Sequence, residues 1–188
     1  MNAPTNADWI NAKRVLRYLN ATKNLAINYK TKDKLIGYSD SSYAEELDRK
    51  SVGGYVFLQA GAAITWRSTK QEIIAQSSME AEYIALAEAA KECVWIKKMH
   101  KEIFPKLADE AVIIYEDNQS AIKLAENPIH TNRSKHIDVR YHVIREYVKN
   151  NVITLQYLPT AEMIADIMTK SLGKVLHARF VAGMGLEF

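Results

Sequence analysis

A short apolar strand that ends in a carboxylate constrains the fold more than any other stretch. Residues 35–40 read Leu-Ile-Gly-Tyr-Ser-Asp, and Asp40 is followed by the polar pair Ser41 and Ser42. An acid at the end of a buried strand is unfavourable unless a partner or a cation compensates it. Three further acids are predicted at the ends or beginnings of regular elements. The sequence therefore favours a site at which four carboxylates converge.

The composition suits a single globular domain. The chain has 188 residues, of which 48% are hydrophobic, and this is enough for one core. No apolar run has the length of a bilayer span and no signal-peptide pattern begins the chain, so we expect no membrane partner. A single cysteine, Cys93, indicates a reducing, intracellular setting. The net charge of +3 permits nucleic-acid binding through a local basic face.

Hydrophobic periodicity predicts a mixture of strands and helices. The predicted strands cover residues 25–29, 35–40, 51–58, 62–68, 112–115 and 152–157. The predicted helices cover 8–19, 77–105, 118–127, 137–148 and 159–172. From residue 35 onward this order predicts a five-stranded mixed sheet, three antiparallel strands and then two parallel ones, with helices on both faces. We divide the chain into a lead-in helix and strand (1–34), a main domain (35–172) and a loosely attached tail (173–188).

Two of these strands end on acids that the sheet would bring together. Asp40 ends the first strand of the main domain and Asp117 follows its fourth, and parallel neighbours place both carboxylates at one edge. A glutamate early in the long helix and Asp166 on the last helix complete the set. Each acid also has a structural interpretation: Asp40 as a turn cap, Asp117 as a helix cap, and Asp166 as a surface acid.

Four carboxylates in one place cannot all stay ionised without cations, because like charges raise one another's pKa. Mg²⁺ binds oxygen ligands and needs few protein carboxylates when substrate phosphate completes its shell. Two such ions, about 4 Å apart, can activate water and stabilise the leaving oxygen in phosphodiester cleavage. The acids therefore favour a site for two Mg²⁺ ions, with Mn²⁺ as a substitute.

Seven short motifs occur in order along the chain. They are GYSD (37–40), DRKS (48–51), GYV (54–56), SSMEAEY (77–83), DNQSA (117–121), KHID (135–138) and ADIMTK (165–170). With these motifs the chain resembles the ribonuclease H domain of copia-type LTR retrotransposon polyproteins, over residues 9–172. The helix at 8–19 resembles the end of the connection to the reverse transcriptase of the same polyprotein, which is the expected protein partner.

The resemblance implies a ribonuclease H fold with an Asp-Glu-Asp-Asp metal site. It implies Mg²⁺-dependent hydrolysis of the RNA strand of an RNA/DNA hybrid during reverse transcription. The expected location is a cytoplasmic retrotransposon particle, with the nucleus as the alternative. By that resemblance Asp40 bridges both metals. Asp117 and the helix glutamate hold one metal and its nucleophilic water, and Asp166 holds the other.

Two glutamates compete for the helix position. Glu80 and Glu82 lie two residues apart and so point to different sides of a helix. Other ribonucleases H carry their glutamate three residues before a small residue and four before an apolar one. Glu82, with Ala85 and Leu86, fits that pattern, so we favour Glu82. We assign Glu80 to the first helical turn as an exposed acid that complements the helix dipole.

Substrate contacts are predicted from the 2′-hydroxyls and phosphates that an RNA/DNA hybrid exposes. The 2′-hydroxyls of RNA are read by short polar groups, and Ser77, Ser78 and Asn118 flank the predicted metal site, although all three also suit helix caps. Phosphate contacts are predicted for Arg49, Lys50, Arg67 and Lys70, although exposed basic residues on hairpins are usually just solvated. Many ribonucleases H carry a histidine in the loop before the last helix, whereas here residues 158–162 contain none. For His130, His136, His142 and His177 we expect surface or packing roles.

Two other functions share parts of this pattern. A non-catalytic hybrid-binding or connection module would keep the fold, but the presence of all four acids argues against it. An integrase- or transposase-type nuclease shares the metal chemistry, but such enzymes use three acids, the last a glutamate, and act on DNA. The motifs favour the ribonuclease.

Overall fold

The computed structural model describes residues 3–30, 34–44, 47–103, 110–126 and 135–188, without the side chains of 135–141. Seven strands lie within these residues. They are β1 (Ala26–Ile27), β2 (Ile36–Ser42), β3 (Val52–Gln59), β4 (Ala62–Lys70), β5 (Val112–Glu116), β6 (Ile153–Tyr157) and β7 (Leu186–Glu187). The sequence also predicts a charged loop over 45–50 and a polar loop over 129–134. Residues 45, 46 and 129–134, the predicted helix end at Pro105 and the side chain of His136 lie outside this description.

Five of the strands form the central sheet, in the spatial order β4-β3-β2-β5-β6. Strands β2, β3 and β4 pair antiparallel, whereas β5 lies parallel to β2 and β6 parallel to β5. The predicted mixed sheet is confirmed. The β3–β4 turn is made by Ala60 and Gly61, whose φ angles of 55° and 77° suit the mirror-image turns that match the twist of a hairpin.

Six α-helices accompany the sheet in the described part of the chain. They are α1 (Asn6–Ala21), α2 (Ser78–Ile103), α3 (Gln119–Glu126), α4 (Lys135–Lys149), α5 (Asp166–Thr169) and α6 (Lys174–Gly183). None of the described helices combines the length and apolarity that a bilayer span requires. Helix α1 contributes no buried residue, and its Trp9 and Leu16 are 62% and 64% exposed.

Each face of the sheet has its own apolar cluster. On one face, α2 packs Leu86, Cys93 and Ile96 against Phe57 and Ile114 of the strands. Alternate residues of the strands point the other way. They meet a second cluster that includes Tyr38, Val56, Met163, Ala165 and Met184. Helices α2 and α5 therefore approach the sheet from opposite sides.

The prediction for the first and last segments of the chain was wrong. The polar residues 30–34 predict a turn that leads the 25–29 strand back to the 35–40 strand, but β1 pairs antiparallel with β7. The residues after 173 are not loosely attached, because α6 buries Phe180 and the Met184 carbonyl accepts a hydrogen bond from Ala63 at 2.9 Å. Pairing between strands of two residues leaves no periodic signal in the sequence.

The single helix predicted over 159–172 is also wrong. A 3₁₀ turn at Thr160–Glu162 is followed by Met163 in an extended conformation, and only then by the short α5. Met163 and Ala165 are both fully buried, although residues two apart point to different sides of a helix. The bend lets both side chains enter the same cluster.

Candidate metal centre

The central parallel pair ends just before the candidate site. Pairing between β2 and β5 runs from Ile36 and Ile113 to Tyr38 and Tyr115. The rings of Tyr38 and Tyr115 stack with centroids 5.1 Å apart. Asp40 and Asp117 each follow two residues later. The end of this pair therefore brings two carboxylates together beyond the stacked tyrosines.

Five carboxylates form two overlapping groups at this end of the sheet. Single carboxylate oxygens of Asp40, Asp117 and Asp166 lie within 4.8 Å of one another. The same limit joins Glu82, Glu116 and Asp117, so Asp117 belongs to both groups. Asp40 and Glu116 are fully buried, and Asp166 and Glu82 are 3% and 6% exposed. All four predicted acids are thus brought together, and Glu116 joins them.

A lysine compensates part of this negative charge. Lys170 Nζ lies 3.0 Å from Asp40 Oδ1 and 2.9 Å from Asp166 Oδ1, and its position one helical turn after Asp166 allows this double contact. Burial lowers the pKa of Lys170, but Asp40 and Asp166 outweigh this effect and raise it. The Thr169 hydroxyl also donates to Asp40 Oδ2. The residues that follow Asp166 therefore supply a cation and a hydrogen-bond donor.

The crowding of acids opposes their ionisation. Burial, followed by the charges of Asp40 and Asp117, raises the pKa of Glu82 to about 9. Burial and Asp40 raise the pKa of Asp166 to about 6. Burial and the neighbouring Glu82 raise the pKa of Glu116 well above its ordinary value. A cation among these groups would remove the repulsion that causes the shifts.

The donor set fits a divalent cation. The ligand atoms are carboxylate oxygens, which Mg²⁺ and Mn²⁺ prefer. The Lys170 ammonium already occupies a cation position between Asp40 and Asp166. Glu82 Oε2 is buried and has no hydrogen-bond partner, which is costly unless a ligand or a proton satisfies it.

Gly54 determines how closely α5 approaches the sheet. It pairs with Asp40 across β2 and β3. A Cβ atom on Gly54 would lie 2.6 Å from the Cβ of Met168 and 2.9 Å from Thr169 Cγ2. Since real Cβ atoms do not approach so closely, only glycine lets α5 place Asp166 and Lys170 over Asp40.

The structure separates the two candidate glutamates. Glu82 points toward Asp117, whereas Glu80 lies outside both acid groups and its Oε2 accepts from the Gln76 backbone N–H at 2.8 Å. This is the arrangement expected for Glu82 as the site residue, and its role stays a prediction. The expected exposure of Glu80 is wrong, because its side chain is buried.

Two of the predicted substrate contacts act as helix caps. Ser77 Oγ accepts from the Glu80 backbone N–H at 3.2 Å, at the beginning of α2. Asn118 Oδ1 accepts from the N–H groups of Ser120 and Ala121 at 3.0 and 3.1 Å, at the beginning of α3. Ser78 is exposed. The hydroxyl of Ser78 is therefore more available to a substrate than the side chains of Ser77 and Asn118.

The predicted basic contacts lie on the loops and strands beside Asp40. Arg49 is exposed and Lys50 is half-buried in the loop after β2. Lys70 forms an ion pair with Asp48 at 3.0 Å. A cavity of about 290 Å³ beside Gly54 is lined by residues that include the basic side chains Arg67, Lys70 and Lys91. The lining also includes Glu72 and Glu88, and Glu88 forms ion pairs with Arg67 and Lys91.

Among the histidines whose side chains the structure describes, none belongs to the two acid groups. His142 is exposed, and His177 is half-buried with its ring 5.7 Å from that of Tyr18 in an edge-to-face contact. In the loop that lacks a histidine, Thr160 Oγ1 donates to Asp117 Oδ2 at 2.6 Å. A neutral hydroxyl thus orients this carboxylate.

Sequence reasoning missed Lys170, Thr160, Thr169 and Glu116 as members of the site. The spacing of Asp166 and Lys170 carried a signal, because residues four apart share a helix face. The 112–115 strand is followed by two acids, Glu116 and Asp117, and only Asp117 was assigned to the site. Adjacent residues of a strand point to opposite faces, so the sequence alone did not place both acids in one site.

Comparisons with known proteins agree with this architecture. No protein-family model matches the chain. The "Retrovirus-related Pol polyprotein from transposon TNT 1-94" of Nicotiana tabacum is 40% identical over 169 residues, 89% of this chain. The corresponding polyprotein from transposon RE2 of Arabidopsis thaliana is 35% identical over 99% of this chain. The chain spans only 13% of the length of either relative.

A solved structure shares the fold. The crystal structure of LC11-RNase H1 in complex with an RNA/DNA hybrid superposes with a TM-score of 0.54. The match covers 72% of this chain and 94% of that chain, at 17% sequence identity. At this identity the likeness establishes the arrangement of strands and helices.

Proposed function

Since this chain is homologous to a segment of the retrovirus-related Pol polyproteins of plant transposons and has the ribonuclease H fold, we propose that it hydrolyses the RNA strand of RNA/DNA hybrids. The resemblance predicted from the motifs is confirmed at the level of the family and the fold. The reaction would serve reverse transcription of a retrotransposon, in a cytoplasmic particle. The alternatives are a non-catalytic hybrid-binding module and a DNA-acting nuclease.

One observation carries the proposal: buried carboxylates converge where the central parallel strands end, around an ammonium group. In this proposal Asp40, Glu82, Asp117 and Asp166 hold two Mg²⁺ ions, with Mn²⁺ as a substitute. The bound ions would lower the pKa of a water molecule and stabilise the leaving oxygen in phosphodiester cleavage.

The residues of the chain supply position and charge in this chemistry. Thr160 orients the Asp117 carboxylate and Thr169 that of Asp40 by donating hydrogen bonds, as partners of metal ligands commonly do. Lys170 balances Asp40 and Asp166. No protein nucleophile is needed, because orientation and electrostatic stabilisation supply the rate enhancement.

Substrate binding in this proposal uses the surface next to the acids. Arg49, Lys50 and the basic lining of the cavity beside Gly54 would contact phosphates, which position a nucleic acid without reading its sequence. Ser78 would contact a 2′-hydroxyl, and Ser77 and Asn118 would do so only while keeping their capping bonds.

A reverse-transcriptase domain of the same polyprotein is the proposed neighbour. Helix α1 exposes Trp9, Ile10, Leu16 and Leu19, each by more than half. Exposed apolar residues on one helix are typical of a surface that packs against another domain, and this supports the proposal.

Cleavage of a labelled RNA/DNA hybrid tests the proposal. We expect wild-type protein with Mg²⁺ or Mn²⁺ to cut the RNA strand of the hybrid and to leave duplex DNA intact. Asp117→Asn should lose at least about 100-fold in rate, since it removes charge from both acid groups. Glu80→Gln, a buried acid outside both groups, is the matched control and should retain activity.

The other outcomes identify the alternatives. Binding of the hybrid without cleavage by folded wild-type protein, also after addition of the polymerase, would indicate a binding module. Cutting of duplex DNA in preference to the hybrid would indicate an integrase- or transposase-type nuclease. Circular dichroism of each variant shows whether a loss of activity reflects the site or the fold.

A further inference from the structure

One fully buried acid of the site has no place in the Asp-Glu-Asp-Asp set. Glu116 ends β5 and is 0% exposed. It shares a strand face with Val112 and Ile114, which pack in the α2-side cluster. Its side chain is therefore directed toward the face from which Glu82 approaches.

The two oxygens of Glu116 have different surroundings. Oε1 accepts a hydrogen bond from the Asn118 backbone N–H at 3.3 Å. Oε2 is buried and has no hydrogen-bond partner. Buried polar atoms are nearly always satisfied in native proteins, so each exception indicates a missing partner.

The unsatisfied oxygen has a counterpart on Glu82. Glu82 Oε2 is also buried without a partner. Oxygens of Glu82, Glu116 and Asp117 lie within 4.8 Å of one another. Lys170 contacts Asp40 and Asp166 instead, and among the described residues no ion pair reaches Glu116. Within the described residues, the group of Glu82, Glu116 and Asp117 therefore collects carboxylate oxygens without an ion-paired lysine or arginine at Glu82 or Glu116.

We propose that Glu116 is a fifth carboxylate ligand of the metal site and binds a divalent cation together with Glu82 and Asp117. The inference rests on the proposed metal-dependent function and extends its ligand set. A divalent cation accepts several carboxylate oxygens at once, whereas a shared proton would join only two of them. Asp117 would then lie between this cation and the one near Asp40 and Asp166.

Titration of the full chain with Mn²⁺, followed by electron paramagnetic resonance and calorimetry, tests this assignment. Wild-type protein should bind two ions. Glu116→Gln keeps the size of the side chain and should weaken one of the two sites at least about tenfold, while the other changes less than about twofold. Glu80→Gln is the matched control, because it replaces a buried acid that lies outside both acid groups. This variant should bind Mn²⁺ as wild type does.

Thermal unfolding is a second test, in which Glu116→Gln should have opposite effects without and with metal. Without metal, Glu116→Gln should unfold at a higher temperature than wild type, because a buried repulsion is removed. Addition of Mn²⁺ should raise the unfolding temperature of the variant less than that of wild type, because a ligand that binds more weakly stabilises the folded state less. Should Glu116→Gln fail to fold, Glu116→Leu places an apolar side chain of similar size at the position and is read in the same way.

The outcomes separate this inference from the proposed function. Unchanged affinity at both sites in Glu116→Gln, or wild-type protein that binds no Mn²⁺, would overturn the assignment of Glu116. Weakened Mn²⁺ binding in Glu116→Gln, together with wild-type protein that cleaves no hybrid even after addition of the polymerase, would support the assignment of Glu116 and refute the nuclease.

Discussion

Glu82 is a residue whose ionisation the folded state opposes. Its pKa is raised from 4.5 to about 9, first by burial and then by Asp40. Between these values the folded protein keeps a proton that the unfolded chain has released. The free energy of unfolding of the metal-free protein should therefore fall as pH rises from about 4.5 to about 9, by up to about 1.4 kcal/mol per pH unit.

Urea unfolding in EDTA at several pH values measures this dependence. Below about pH 4.5 both states hold the proton and this contribution has no slope. Glu82→Gln cannot titrate and should show a smaller loss of stability between pH 6 and pH 8. Equal losses in wild type and variant would show that Glu82 is not the group responsible.

Lys170 stabilises the site when no metal is present. Lys170→Met keeps the length of the side chain but leaves Asp40 and Asp166 without their ammonium partner. We expect the free energy of unfolding in EDTA to fall by about 2 kcal/mol, because removing one member of a buried pair leaves an uncompensated charge. Mn²⁺ should stabilise this variant more than it stabilises wild type.

An exposed ion pair provides the comparison. Lys91 lies 2.7 Å from Glu88 with its side chain 55% exposed, and Lys91→Met should change stability by less than about 0.5 kcal/mol. Thermal unfolding with and without Mn²⁺ measures both lysine variants. Equal stability of Lys170→Met and wild type in EDTA would contradict the role given to Lys170.

At the scale of elements, the position of α5 depends on Gly54. Gly54→Ala should force α5 away from the sheet, because the new Cβ would meet Met168 and Thr169. We expect a loss of about 1–3 kcal/mol, as for other overpacked sites, and weaker Mn²⁺ binding, since Asp166 moves with the helix. Calorimetry and urea unfolding measure the two effects.

A second glycine is the matched control for this change. A Cβ on Gly173 would meet nothing within 4 Å, and the φ angle of Gly173 is −65°, which alanine adopts readily. Gly173→Ala should leave Mn²⁺ affinity unchanged. If both alanine variants bind Mn²⁺ equally well, close approach of α5 is not what holds Asp166.

At the scale of the whole molecule, the C-terminal residues belong to the folded unit. Phe180 of α6 is 2% exposed, whereas Phe188 is 85% exposed. Phe180→Ala should lower the free energy of unfolding by about 3 kcal/mol, and Phe188→Ala by less than about 0.5 kcal/mol. If urea unfolding shows an equally small loss of stability for both substitutions, the packing of α6 does not contribute to stability.

The sequence predicted those parts of the molecule whose signal is local. Alternation and helical spacing predicted the five-stranded sheet, and acids at the strand ends indicated where Asp40 and Asp117 meet. The bend at Met163 and the β1–β7 pair arise from tertiary packing, which overrides local preference. For the same reason Glu116 and Lys170 became members of the site only when the elements were seen together.

The pairing of β1 with β7 brings the two ends of the folded unit together. Neighbouring strands lie about 4.8 Å apart, so the backbone enters at residue 26 and leaves at residue 187 through adjacent positions. In a longer polypeptide, segments attached at these two points would emerge side by side. Such a module adds little to the distance between the segments that flank it.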